Sequence, residues 1–288
     1  MYTWNPWYGC HMCGVGCSHC KVFDPELRYR YTPDKVNKSK SEFNLPIRRF
    51  RDKTKKKESY ELEYKIPSGS VVLTCATSDF FIQEADYWRQ EAWNIIHKRM
   101  DCLFVIKTRR PERIIECLPD NWLDGWPNVF IYVTVENQEA ADIRIPYILD
   151  LPIKHIGINI EPMMESIDIR PYLSSGLIEQ VTVSGETYHG NEPPIIYLDK
   201  LWVKDISEQC KYYNTNFEFY KTGTNFKIDS KVINIWKCDE VPLAEFMKLN
   251  NFETDINWQS TAKQLEERAI DENANAVYRK LIDLNFYN

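Results

Sequence analysis

Four cysteines, Cys10, Cys13, Cys17 and Cys20, fall within eleven consecutive residues of a 288-residue chain. Thiols this close together do not follow the spacing of a buried helix or strand face. In a reducing compartment they read as a metal site rather than a disulfide knot. They can be paired as two C-x-x-C knuckles for zinc, but only Gly14, Val15 and Gly16 lie between the pairs, where zinc knuckles are normally ~12–20 residues apart. An iron–sulfur cluster fits better, because closely spaced thiolates on a glycine-containing loop can wrap one cubane. The loop differs from a ferredoxin run in having no Pro after its last Cys and no second run, and the chain is far longer than an electron carrier needs. His11 and His19 flank the thiols as further candidate ligands, although the thiolates suffice. The other five cysteines, Cys75, Cys102, Cys117, Cys210 and Cys238, stand in apolar or helical context and are expected to be buried.

The elements that must position such a loop are legible as a rhythm of β-rich runs at Val71–Cys75, Leu103–Thr108, Val129–Val135, His155–Ile160, Gln180–Val183 and Phe217–Tyr220. Helical patterns occupy Glu84–Arg99, Gln138–Leu149 and Asp199–Tyr213, the first with Ala85, Trp88, Ala92, Ile95 and Ile96 on one stripe. Strand–helix alternation argues for an α/β fold with a parallel sheet, and the segment around Trp4 is expected to add a first strand before the cysteine loop. A partial or complete (β/α) barrel is the first expectation and a doubly wound sheet the second. The organisation expected is residues 1–27 as a strand with the cysteine loop, 28–69 as a basic insertion, 70–225 as the barrel core and 226–288 as a helical C-terminal extension.

Each β-rich run ends in polar groups: Thr77-Ser78-Asp79, Thr108-Arg109-Arg110, Glu136-Asn137, Glu161-Pro162, Ser184-Gly185-Glu186 and Lys221-Thr222-Gly223. Parallel α/β folds bind ligands at the carboxyl ends of their strands. A cysteine loop after the first strand would face this polar ring across one mouth.

Composition narrows the function classes. With 43% hydrophobic and 14% aromatic residues the chain can build a sizeable core. No apolar run approaches the ~18 residues of a membrane span, and Met1–Pro6 lacks a secretory signal, so an intracellular, cytoplasmic protein is expected. Only 10 glycines occur, with no G-x-G-x-x-G or P-loop pattern, and neither H-E-x-x-H nor G-x-S-x-G is present. Glycine-cradled nucleotides, zinc proteolysis and serine hydrolysis are disfavoured. The net charge is −6, yet residues 28–57 hold twelve Lys/Arg against three Asp/Glu. That local excess, with Tyr29, Tyr31, Phe43 and Phe50 interleaved, marks either a solvated insertion or a surface for a phosphate-bearing partner such as nucleic acid, through Arg48, Arg49, Arg51, Lys55, Lys56 and Lys57.

Thr3-Trp4-Asn5-Pro6, Gly9-Cys10 and Gly16-Cys17-x-x-Cys20 closely resemble the opening of a phage-associated, three-cysteine-motif family of unknown function. Ser78-Asp79-Phe80-Phe81, Thr108-Arg109-Arg110-Pro111-Glu112-Arg113, Val135-Glu136-Asn137-Gln138-Glu139, Glu161-Pro162, Gly185-Glu186 and Lys221-Thr222-Gly223 agree with it. The resemblance covers residues 1 to about 225, and that family is in turn similar to radical S-adenosylmethionine (SAM) enzymes. It implies a [4Fe–4S] cluster on Cys10, Cys17 and Cys20, with Cys13 a neighbour or substitute ligand and SAM on the fourth iron. It also implies reductive cleavage of SAM, hydrogen abstraction from a substrate and an electron donor such as flavodoxin or ferredoxin. Cys10-x6-Cys17 is wider than the usual radical SAM gap, and Lys21 stands where a Tyr is common. Place and resemblance together make Ser78, Asp79, Glu136, Asn137, Glu161 and Glu186 the expected SAM contacts and put Arg109 and Lys221 nearer the substrate, for which nucleic acid or a nucleotide-derived molecule is the leading expectation. The alternative is a non-catalytic nucleic-acid-binding protein stabilised by zinc or an iron–sulfur cluster.

Overall fold

The computed structural model describes residues 1–18, 20–23, 32–50, 63–188 and 196–250. Short runs of β-branched and aromatic residues alternate with helices in chain order. The first part comprises β1 (Tyr2–Trp4), β2 (Trp7–Tyr8), β3 (Asn37–Lys38), β4 (Val71–Thr74), α1 (Asp86–Lys98), β5 (Leu103–Thr108), α2 (Ile114–Cys117), β6 (Val129–Val135) and α3 (Gln138–Leu149). Then follow β7 (His155–Ile160), α4 (Arg170–Leu173), β8 (Ile178–Ser184), β9 (Leu198–Asp199), α5 (Lys200–Tyr212), β10 (Asn216–Lys221), β11 (Asn225–Ile228), β12 (Lys231–Asn234) and α6 (Glu240–Phe246).

Seven strands form one parallel sheet in the order β1-β4-β5-β6-β7-β8-β10, a half-barrel with helices on its outer side. The expected strands and the three expected helices lie where the periodicity put them, and β1 is the first strand that precedes the cysteine loop. Side chains alternate across this sheet. Phe104, Ile106, Ile131, Val133, Ile158, Val181, Phe217 and Phe219 face outward into one core with Ala92 and Ile96 of α1, Ile145 and Ile148 of α3, and Val203 and Ile206 of α5. Each such burial contributes ~1.5–3 kcal/mol, so this layer fixes which residues must face inward. Asn137 caps α3 by accepting from the Ala140 N–H, and Asp199 caps α5 by accepting from that of Leu201.

Around the half-barrel, β2 pairs with β3, tying residues 32–50 to the segment just before the cysteine loop. Arg99, fully buried, donates to the carbonyls of Pro46 and Ile66 and to Asp101, and lies over the Tyr64 ring. This guanidinium anchors the described part of the basic insertion to the barrel, together with the β2–β3 pairing and the Trp4 indole N–H, which donates to the Glu42 and Phe43 carbonyls. The segment after residue 225 was expected to be helical but begins with the β11–β12 hairpin. Val232-Ile233 favour extended backbone, and Asp229 takes the left-handed turn conformation at φ 56°. Helix α6 follows, and residues 251–288, on which most of that expectation falls, lie outside the described residues. Cys75, Cys102, Cys117 and Cys210 are buried as expected, whereas Cys238 is exposed, in the polar turn before α6. Among the described residues no helix is long and apolar enough to cross a membrane.

Candidate functional site

The inward face of the half-barrel and the loops at its strand ends enclose a cavity of about 850 Å³. Cys10, Cys13, Cys17 and Cys20 all line it, from the loop between β2 and β3. The same cavity is lined by Ser78, Asp79, Arg109, Arg110, Glu161, Glu186 and Lys221, each at or just beyond the carboxyl end of a strand. The loop and the polar ring thus share one mouth.

Hydrogen bonds join the cysteine loop to that ring. Ser78 Oγ donates to the Gly9 carbonyl at 2.5 Å. Asp79, 5% exposed, accepts from Thr108 Oγ1 at 2.8 Å, from the backbone N–H groups of Phe81 and Arg109, and from Arg110 Nη1 at 3.1 Å. Arg110 in turn donates to the His11 carbonyl at 2.7 Å and reaches Cys10 Sγ at 3.8 Å. A buried carboxylate therefore aims a guanidinium at the loop's first thiol.

Glu136 and Asn137 lie elsewhere. Glu136 is 1% exposed and does not line the cavity; Arg144 Nη1 holds it at 2.7 Å, with Arg109 Nε 3.7 Å away. It sits beneath the cysteine loop, where a Cβ on Gly14 would meet Glu136 Oε1 at 2.6 Å and one on Gly16 would meet Glu136 Cβ at 3.3 Å. The loop's glycines let it settle on this ion pair. Asn137 uses its side chain on the α3 cap, also away from the cavity. Of the basic residues, Arg49 stacks on the Tyr64 ring and Arg48 donates to the Ser41 carbonyl. Arg51 and Lys55 to Lys57 lie outside the described residues, as does His19. His11 meets Glu84 at 2.5 Å.

The thiols differ in acidity. Cys17 is lowered to about 5, chiefly because its sulfur accepts a hydrogen bond from the Cys13 thiol; Cys13, as the donor, is raised. Burial pushes Cys10 up to about 11, against the charge of Arg110, and also raises Cys20. Glu161 behaves oppositely. Burial would raise it, but the ammonium groups of Lys107 and Lys221 hold it down to about 2.

A second tier lies deeper, on residues read from the sequence only as strand. Lys107, Tyr132, Thr134, Asn159, Gln180, Thr182 and Glu218 all face the cavity. Lys107 Nζ donates to Asn159 Oδ1 at 2.8 Å and lies 3.5 Å from Glu161, while Thr182 Oγ1 donates to the same Asn159 oxygen at 2.8 Å. Their signal was present in the sequence as polar residues at alternate positions within otherwise apolar strands.

Among the described residues no three His, Cys, Asp or Glu side chains converge as ligands of a single metal ion. A cubane makes a different demand, since its thiolates sit on separate irons and stand farther apart than the ligands of one ion. Four thiols on one loop, lining one cavity with Arg109 and Arg110 beside them to balance their charge, are a donor set that fits a cluster.

The model of a family described as protein of unknown function (DUF5131) matches residues 1–276. No curated protein and no solved structure matches the chain.

Proposed function

We propose, for a chain that belongs to this family of unknown function, an iron–sulfur enzyme of radical SAM type acting on a substrate held inside the half-barrel. The observation that carries the reading is that the four loop thiols and the polar strand-end ring line the same cavity. Cys10, Cys17 and Cys20 would hold a [4Fe–4S] cluster, leaving one iron free of protein thiolate for the amino and carboxylate groups of SAM. When bound, that pair supplies a one-electron reductive cleavage of SAM that ends in hydrogen abstraction, the electron coming from a donor such as flavodoxin or ferredoxin.

The chain's own residues bind and orient. Glu186, at the mouth, would accept from ammonium or hydroxyl groups of SAM, with Ser78 lining the same mouth. Asp79, its oxygens already taken up by Thr108, Arg110 and two backbone N–H groups, would act by orienting Arg110. Arg109 and Arg110 offset thiolate charge. Lys107, Lys221 and Glu161 form a charged group between the mouth and the deeper tier, where the substrate would lie.

Anaerobic reconstitution with iron and sulfide, followed by electron paramagnetic resonance and assay for 5′-deoxyadenosine with dithionite and SAM, tests the reading. A cluster signal altered by SAM and formation of 5′-deoxyadenosine are expected. Stoichiometric zinc in a colourless protein would overturn it.

A further inference from the structure

The deeper tier contains a row of side chains whose arrangement is more specific than the filling of a barrel interior requires. Tyr132 on β6 and Gln180 on β8 are both in register with Gly157 on the intervening β7. With no side chain at Gly157, the Tyr132 ring lies across β7; a Cβ there would come within 2.3 Å of Tyr132 Cε1. Tyr132 OH then donates to Gln180 Oε1 at 2.8 Å, which fixes the amide so that its Nε2 donates to Glu218 Oε2 at 3.3 Å. Gln180 and Tyr132 are nearly buried, at 3% and 5% exposed. The row thus runs from β6 to β10 and ends in a carboxylate facing the cavity.

Glu218 differs from the other charged groups around it. Glu161 is paired with Lys107 and Lys221, and Asp79 with Arg110. Among the described residues Glu218 makes no ion pair, and burial raises its carboxyl, opposed only by the charge of Lys107. Positioning a carboxylate through two nearly buried partners while leaving it without a cation costs stability unless something else satisfies it. One link along the row from it, the Tyr132 ring continues into an apolar stretch of the cavity wall formed by Val105 on β5 and Val71 and Leu73 on β4.

We infer that Glu218 anchors the substrate by accepting adjacent N–H groups from the edge of a planar heterocycle, of the kind guanine presents, whose flat face lies on that apolar wall. Lys107, whose ammonium has a third N–H, and the Thr134 hydroxyl, which accepts from Asn159 Nδ2, supply donors for the ring carbonyl that accompanies such N–H groups. The inference rests on the cavity being a substrate chamber, and it does not require the cluster to be present for binding.

Calorimetric binding of guanosine, adenosine, uridine and putrescine to the full chain tests it, using wild type and Glu218→Gln, with iron measured on each sample. Guanosine is expected to bind at least about tenfold more tightly than adenosine, which lacks the ring N–H and the carbonyl. Glu218→Gln should weaken guanosine about tenfold to hundredfold with an unfolding midpoint no lower than that of wild type. Glu218→Asp, which keeps the charge but withdraws it, should do likewise. Unchanged guanosine affinity in both variants, tighter binding of putrescine than of any nucleoside, or no nucleoside binding at all would overturn the assignment. Glu218-dependent guanosine binding by a protein that never assembles a cluster would uphold this subsite and overturn the radical SAM reading instead.

Discussion

Lys221 Nζ lies 3.2 Å from Glu161 Oε1, so that one ion pair joins the ends of β10 and β7 across the intervening β8. Lys107 approaches Glu161 Oε2 at 3.5 Å. A single carboxylate thus holds two cations at the boundary between the thiol-lined mouth and the deeper tier.

The arrangement predicts an acid-labile contribution to stability. Glu161 titrates near 2 in the folded chain, against an ordinary value of 4.5. A carboxyl lowered by folding adds stability that is complete above its unfolded pKa and disappears as pH falls toward the folded one. The full contribution is of order 3 kcal/mol, of which about 2 kcal/mol is lost by pH 3. Urea denaturation at about pH 6 and about pH 3 should show a greater loss for wild type than for Glu161→Gln. An equal loss in both would remove Glu161 as the source.

Cluster ligation predicts an uneven response among the thiols. Cys10→Ala, Cys17→Ala and Cys20→Ala should each abolish iron and sulfide incorporation on anaerobic reconstitution, whereas Cys13→Ala should retain both. Iron loss in Cys13→Ala with retention in Cys10→Ala would reassign the ligand set.

Glu136 should behave as a support of the cysteine loop. Replacing it by Ala leaves Arg144 and Arg109 facing a nearly buried void, which costs about 3–5 kcal/mol. Chemical denaturation should register that loss, and iron incorporation should fall with it. A variant of near wild-type stability that incorporates iron but binds SAM weakly would make Glu136 a SAM contact instead.

Gly185→Ala tests the approach of the β8 and β10 ends. A Cβ at residue 185 would lie 2.0 Å from the Thr222 carbonyl oxygen, a backbone atom that cannot swing aside, and Gly223 beside it has φ 72°. The substitution should cost about 1–3 kcal/mol or more through overpacking and part Lys221 from Glu161, visible as a lower unfolding midpoint. A midpoint equal to wild type would mean that the two ends separate freely.

The strands and helices were legible because their outward residues must meet one apolar core. Ile131 and Val133, or Ile145 and Ile148, leave little choice of period. The strand-end ring was legible for a related reason, since polar groups after an apolar run mark where a strand leaves the core. Two features were hidden. Glu136 looks like another member of that ring, but its partner Arg144 is two helical turns along α3, a contact that strand-end position does not reveal. Glu218, Gln180 and Lys107 were hidden inside strands, where their facing becomes clear only once the sheet curves and its concave side proves to line a cavity.

Among the described residues that sheet stops at β1 on one side and β10 on the other, with no pairing between them. Tyr2 and Tyr220, on these two edges, both border the cavity. A wall with such a seam is a clip and not a ring. Strands β1 and β10 each have one edge with no ladder partner among the described residues, so the curvature of the wall is held from its helix-packed outer side and not by closure of the strands on themselves.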